Sequence, residues 1–180
     1  MYEQLKKAKS VGCIGTSSPN EEEIYTCIAV GYALATIGKK IVSGNAIGCD
    51  FAYATGANFV KPQAVTLYLP NPSHNENHWV FGNILITETK EEWQKLARDY
   101  HPKYDSMNQN VRQLFDRNAG IVLNSDVIIA LPCYRTKSWG GGTGHGMKIA
   151  KALGKHVYNI EDVEMAKSLK EYLRFLIGSL

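Results

Sequence analysis

Short unbroken apolar runs alternate along this chain with stretches whose apolar residues recur at helical spacing. Val11–Gly15 is the first such run, and its length and bounding residues predict a buried strand. Ser18, Pro19 and Glu21 then stand in the order of a helix N-cap, a first helical residue and a capping-box acid. A helix is expected from there to about Ile37, with Ile24, Cys27, Ile28, Leu34 and Ile37 as its stripe and Gly38 as its stop. Lys40–Gly44 predicts a second strand and its turn, 45–50 a loop, and Phe51–Asn58 a helix of small residues. Ala64–Leu69 predicts a third strand, closed by Pro70. Residues 71–83 hold Pro, Asn, Ser, Gly and His and read as an irregular loop, followed by a short strand at Ile84–Ile86 and a short helix at Glu91–Tyr100. A further helix is expected from Asp105 or Ser106 to about Leu123. Val127–Leu131, β-branched and unbroken, is the clearest strand. After a loop from Pro132 to Gly142 come a helix at Thr143–Leu153, a last strand at His156–Tyr158 and a closing helix over Asp162–Ile177.

Strands that are apolar throughout, rather than alternating, are buried on both faces, and helices between them imply parallel pairing. The expected fold is therefore α/β: a Rossmann-like, mainly parallel sheet with helices on both faces, in one domain over residues 1–180. No internal repeat, low-complexity tract or linker divides the chain. The hydrophobic fraction of 44% and charged fraction of 21% are those of a soluble globular protein, and with no secretory context in the sequence the expected location is the cytoplasm. A net charge of +3 neither demands nor excludes nucleic acid. No apolar run is long enough for a signal peptide or a membrane span. The four cysteines, Cys13, Cys27, Cys49 and Cys133, lack C-x-x-C spacing and are expected as reduced thiols, the first two as small core residues.

Ligands of open α/β sheets bind beyond the carboxyl ends of the strands, where strand order reverses. Three strands here end in glycine, hydroxyl or amide residues: Gly15-Thr16-Ser17, Ser43-Gly44-Asn45-Ala46, and the run from Pro132 through Tyr134 and Trp139 to Gly141-Gly142-Thr143-Gly144-His145. Glycine lets backbone N–H groups approach a ligand, and N–H groups at a helix start bind phosphate. Arg117, followed by Asn118, is a candidate for a bidentate phosphate contact or for a salt bridge with Asp116 or Asp126. Asp50, Asp126 and His145 are candidate acid–base groups, although an aspartate after a glycine turn also suits a helix cap. Tyr134 and Trp139 are the foremost candidates to stack on a base. His74-Asn75-Glu76-Asn77-His78 lacks a third clear ligand, so no metal is expected there; the segment reads as a solvated loop able to fold over the pocket. Lys6, Lys7, Lys9, Lys39 and Lys40 form two small basic clusters read as solvated surface.

Ser43-Gly44-Asn45-Ala46-Ile47-Gly48-Cys49-Asp50-Phe51-Ala52 resembles the SG-x-A-x-G-[IV]-D-x-x-A signature of the SLOG superfamily, which includes the DNA-processing DprA/Smf proteins and the LOG phosphoribohydrolases. Leu69-Pro70-Asn71, Ile86-Thr87-Glu88, His101-Pro102, Arg117-Asn118, Asp126 and the glycine-rich loop follow in the same order, so the resemblance spans about residues 10–160. It implies a nucleotide pocket, a homo-dimer or higher oligomer, and no resident cofactor. Similar lone domains with a G-T-x-H turn are encoded by phages, which implies a stand-alone protein of that kind.

The chain departs from the resemblance at informative places. Ala119 stands where DprA-type proteins carry a second arginine, and a lone domain without their flanking domains is expected. Lys148 falls at the position of the LOG glutamate that assists N-glycosidic cleavage, and a lysine cannot accept a proton as that carboxylate does. The reading that follows is a non-catalytic binder of a nucleotide-derived signal of ADP-ribose or cyclic-nucleotide type, acting in sensing or sequestration, including phage counter-defence. The alternatives are a nucleotide N-glycosidase or phosphoribohydrolase, and a DprA-like protein that binds single-stranded DNA.

Overall fold

The computed structural model describes residues 2–133 and 141–179. Six strands form one sheet: β1 (Ser10–Gly15), β2 (Lys40–Ser43), β3 (Val65–Tyr68), β4 (Ile84–Ile86), β5 (Val127–Leu131) and β6 (Val157–Asn159). Their order is β4-β3-β2-β1-β5-β6 and every pairing is parallel. This is the expected Rossmann-like α/β sheet. Strand order reverses between β1 and β5, whose residues align from Val11 opposite Val127 to Gly15 opposite Leu131.

Among the described residues seven α-helices accompany the strands: α1 (Glu3–Lys7), α2 (Glu21–Thr36), α3 (Cys49–Asn58), α4 (Glu91–Tyr100), α5 (Gln109–Leu123), α6 (Gly141–Ala152) and α7 (Val163–Ile177). Successive strand residues point to opposite faces. Val127, Ile129 and Leu131 enter the core shared with α2, α3 and α7, whereas Ile128 and Ala130 enter the core shared with α4, α5 and α6. Because both faces are covered, all five β5 residues are buried, which is why the strand reads as an unbroken apolar run.

Several boundaries differ from the sequence expectation for local reasons. Helix α2 is capped not by Ser18 but by Asn20, whose side chain accepts from the Glu23 N–H while Glu23 returns the bond to the Asn20 N–H. The Ser18 N–H instead donates to Thr16 Oγ1, tightening the turn that leaves β1. The helix expected from Asp105 is split: Tyr104–Ser106 makes a single 3-10 turn, and Asn108 caps α5 separately. Helix α6 already includes Gly141 and Gly142. Helix α1, unanticipated, is one short turn pinned by the burial of Leu5. No described helix is long and apolar enough to cross a membrane.

Candidate functional site

The β1–α2 turn, the β2–α3 turn, the segment after β5 and the start of α6 meet at the carboxyl edge of the sheet, where strand order reverses. They enclose a cavity of about 730 Å³. Gly15, Thr16, Ser17 and Ser18 line it from the end of β1, and Ala46, Ile47 and Asp50 from the β2–α3 connection. Leu114, Phe115, Arg117 and Asn118 contribute one face of α5, the spacing of 114, 117 and 118 being that of neighbours on a helix surface. Pro132 and Cys133 follow β5, and Gly141, Gly142 and Thr143 form the first turn of α6. His74 and Asn75 also line the cavity.

Arg117 and Asp50 sit together in this wall. Arg117 Nη1 donates to Asp50 Oδ2 at 3.2 Å, and each side chain is only 5% exposed. Asp50 Oδ1 accepts the Gly15 N–H at 3.1 Å, and the Ala46 N–H also donates to this carboxylate. Burial pushes the Asp50 carboxyl above its ordinary range, while the guanidinium and the two N–H groups pull it back. Burial acts on Arg117 in the opposite sense, lowering its pKa against the pull of Asp50, but a guanidinium stays protonated. Arg117 Nε is buried and has no partner. The pair needs a glycine beside it: a Cβ on Gly44 would lie 1.3 Å from Arg117 Nη1 and 2.7 Å from Asp50 Oδ2. Neither Asp116 nor Asp126 pairs with Arg117. Asp116 accepts from the Tyr104 hydroxyl at 2.6 Å. Asp126 accepts the Lys9 and Ser10 N–H groups at the amino edge, the far end of β5 from the cavity, and these bonds hold its carboxyl below the usual range.

The two helix starts near the cavity differ in charge. Helix α2 opens with Glu21, Glu22 and Glu23, and its Asn20–Glu23 box already occupies the Asn20 and Glu23 N–H groups. Helix α6 has no acid in its first turn. Its Gly142 abuts Asn118, whose Nδ2 would lie 2.6 Å from a Cβ at that position. An anion in the cavity is therefore favoured near α6 and Arg117 and opposed near α2.

Of the residues anticipated from sequence, eleven line the cavity; Ser43, Gly44, Asn45, Gly144 and His145 do not, and Tyr134 and Trp139 lie outside the described residues. Ser43 is fully buried and donates to the Cys13 carbonyl at 2.7 Å, tying β2 to β1. Asn45 is buried and binds the 71–78 segment through its Nδ2, which donates to the carbonyls of His74 and Asn75, both at 3.0 Å. Gly144 and His145 are buried in α6, with His145 Nε2 3.1 Å from the Ala97 carbonyl and its ring edge-on to Phe115. Burial, with His101 and Lys148 nearby, pulls the His145 imidazole down to about 4, so it is neutral at pH 7. Lys148 is exposed on α6 and does not line the cavity. Leu114 and Phe115 were absent from the sequence expectation, their signal being helical spacing to Arg117, whereas His74 and Asn75 belong to the segment expected to be able to fold over the pocket. Among the described residues no group of three or more His, Cys, Asp or Glu converges as a metal site would.

No family model matches the chain, and no curated protein matches it. Solved structures do. A structural-genomics target, TM1055, superposes over 83% of this chain and 72% of its own, with a TM-score of 0.54 at 21% identity. DNA processing protein A from Helicobacter pylori, described for its single-stranded DNA binding mode, superposes over 99% of this chain and 85% of its own, with a TM-score of 0.59 at 18% identity. DprA from Streptococcus pneumoniae matches 96% of this chain with a TM-score of 0.57 at 17% identity, and the chain spans 58% of that protein. What this chain shares with all three is the parallel Rossmann-like fold, the fold that the sequence resemblance to the SLOG superfamily implies.

Proposed function

We propose that this chain binds a phosphate-bearing, nucleotide-derived ligand at the β1–β5 switch point and does not cleave it. The observation that carries this reading is Arg117, a cation 5% exposed, in a cavity wall, with its Nε unpartnered and a single carboxylate holding its Nη1. A buried guanidinium donor without an acceptor costs about 1–3 kcal/mol, and an incoming phosphate oxygen would supply that acceptor. The start of α6 adds backbone N–H groups with no competing acid. At about 730 Å³ the cavity suits a ligand the size of ADP-ribose or a cyclic nucleotide. Binding is favoured over turnover because both Asp50 oxygens are occupied and because Lys148, at the position of the LOG glutamate, does not line the cavity. The physiological role that fits is sensing or sequestering a nucleotide signal, as a homo-oligomer in the cytoplasm, with phage counter-defence as one setting.

Titration calorimetry with ADP-ribose and AMP tests the reading, followed by mass spectrometry of the ligand recovered after denaturation. Saturable binding with intact ligand is the expected result. Free base or ribose phosphate in the recovered material would replace it with the N-glycosidase reading. Arg117→Lys keeps the charge but loses the planar fork, and is expected to weaken binding ~10-fold or more. The likeness to the Helicobacter pylori protein supports a second reading, single-stranded DNA binding. Its signature is affinity for an oligonucleotide that falls steeply with salt.

A further inference from the structure

The 71–78 segment, read from sequence as a solvated loop able to fold over the pocket, is fastened at the cavity wall by a reciprocal pair of asparagines. Asn75 Nδ2 donates to the Asn45 carbonyl at 2.7 Å, answering the two bonds that Asn45 Nδ2 makes to the segment. Asn45 and Asn75 are the two non-glycine residues of positive φ among the described residues, at 56° and 48°, and asparagine is the residue that tolerates this region best. His74 is therefore held in the cavity wall rather than swinging free.

The same amide fixes the state of the His74 ring. Asn75 Nδ2 lies 3.3 Å from His74 Nε2. An amide nitrogen only donates, so Nε2 accepts and the ring proton sits on Nδ1. The surroundings oppose a second proton: burial acts first, then the charge of Arg117 on α5, then His78 on the same segment, whose ring packs against Phe51 of α3. Asp50 on α3, the nearest acid of the cavity wall, is engaged by Arg117. Nδ1–H is thus the one donor the ring has left for a ligand. From these contacts, and resting on the nucleotide reading above, we infer that neutral His74 contacts the ligand through Nδ1–H, donating to a phosphate oxygen that Arg117 also approaches.

The tautomer makes the test sharp. His74→Asn places an amide N–H where Nδ1–H lies, His74→Gln places one near Nε2, and His74→Ala offers none. With ADP-ribose as the probe, His74→Asn is expected to stay within about threefold of the parent protein. The Gln and Ala variants are expected to lose ~10-fold or more, the cost of one hydrogen bond to a charged group. Two-bond nitrogen–proton NMR of the ligand-free protein at pH 7.5 is expected to report an accepting Nε2 for His74. Equal affinities in all three variants, an equal loss in Asn and Ala, or an Nε2–H tautomer overturns the inference while leaving the nucleotide site standing. Failure of the parent protein to bind ADP-ribose removes both.

Discussion

At the scale of single residues, two buried groups should titrate with opposite consequences. Asp50 lies above its ordinary carboxyl range even with Arg117 beside it. Arg117→Met removes the partner and leaves a buried carboxylate, so a loss of about 3–5 kcal/mol in unfolding free energy is expected at pH 8. Without Arg117 the native Asp50 takes up a proton at pH values where the unfolded chain has already lost it. The native state then binds more protons than the unfolded state, and stability falls as pH rises. The deficit against the parent protein is therefore expected to shrink from pH 8 to pH 5 in urea denaturation, and a deficit that stays constant would exonerate Asp50. His145 works the other way. Its imidazole, near 4 in the folded protein, stays neutral while an unfolded histidine charges below its usual 6.5. Between those values the unfolded state binds more protons, so stability drops as pH falls, by about 3 kcal/mol when the whole window is crossed. His145→Gln keeps a donor for the Ala97 carbonyl and removes the titration, so its denaturation midpoint is expected to fall less on acidification from pH 6.5 to 4 than that of the parent protein.

At the scale of elements, the chain states which segments are helices more clearly than where they begin. Ser18 with Glu21 and Asn20 with Glu23 both fit a capping box three residues apart. The turn out of β1 decides between them, because it takes the Ser18 N–H for Thr16 Oγ1. Asn20→Ala is accordingly expected to cost about 1 kcal/mol and Ser18→Ala a few tenths, as read by thermal or urea denaturation. A reversal of that ranking would restore the sequence assignment. The small residues of α3, legible as a pattern, acquire their reason only from its neighbour. A Cβ on Gly56 would lie 2.0 Å from the Ile28 carbonyl oxygen, and one on Gly31 would lie 2.0 Å from the Tyr53 carbonyl oxygen. Helices α2 and α3 thus meet backbone to backbone, with no flexible side chain to give way. Gly31→Ala is expected to destabilise by about 1–3 kcal/mol despite alanine's higher helix propensity, because the pair must separate.

At the scale of the molecule, the fold was legible because continuous apolar strands can only be covered on both faces, and the carboxyl edge was legible because three strands end in small polar residues. Which loops meet there was not. Arg117 and Asp50 are 67 positions apart, and only the β1–β5 adjacency, with β5 arriving after three intervening strands and four helices, brings α5 against the β2–α3 turn. What fixes His74 in the wall was illegible for the same reason, its anchor Asn45 lying 29 positions upstream. The topology also separates two surfaces that composition merges. Lys6, Lys7, Lys9 and Lys40 are exposed at the amino edge, level with the Ser10–Lys40 pairing, whereas the cavity opens at the carboxyl edge. This separation lets one experiment distinguish the two functional readings. A nucleotide bound at Arg117 and α6 is expected to stabilise the fold by about 2.7 kcal/mol at a hundredfold excess over its dissociation constant, and to lose little affinity between 50 and 200 mM salt. A single strand lying on the lysines would lose affinity with a slope of about −0.7 per phosphate contacted. It would also remain bound when the cavity is filled. Fluorescence anisotropy of a labelled oligonucleotide, measured at 50 and 200 mM salt and titrated with ADP-ribose, reads both. The nucleotide reading expects weak oligonucleotide binding that ADP-ribose does not displace, because such contacts would lie at the amino edge. Tight oligonucleotide binding displaced by ADP-ribose would place the strand in the cavity and make nucleic acid the ligand.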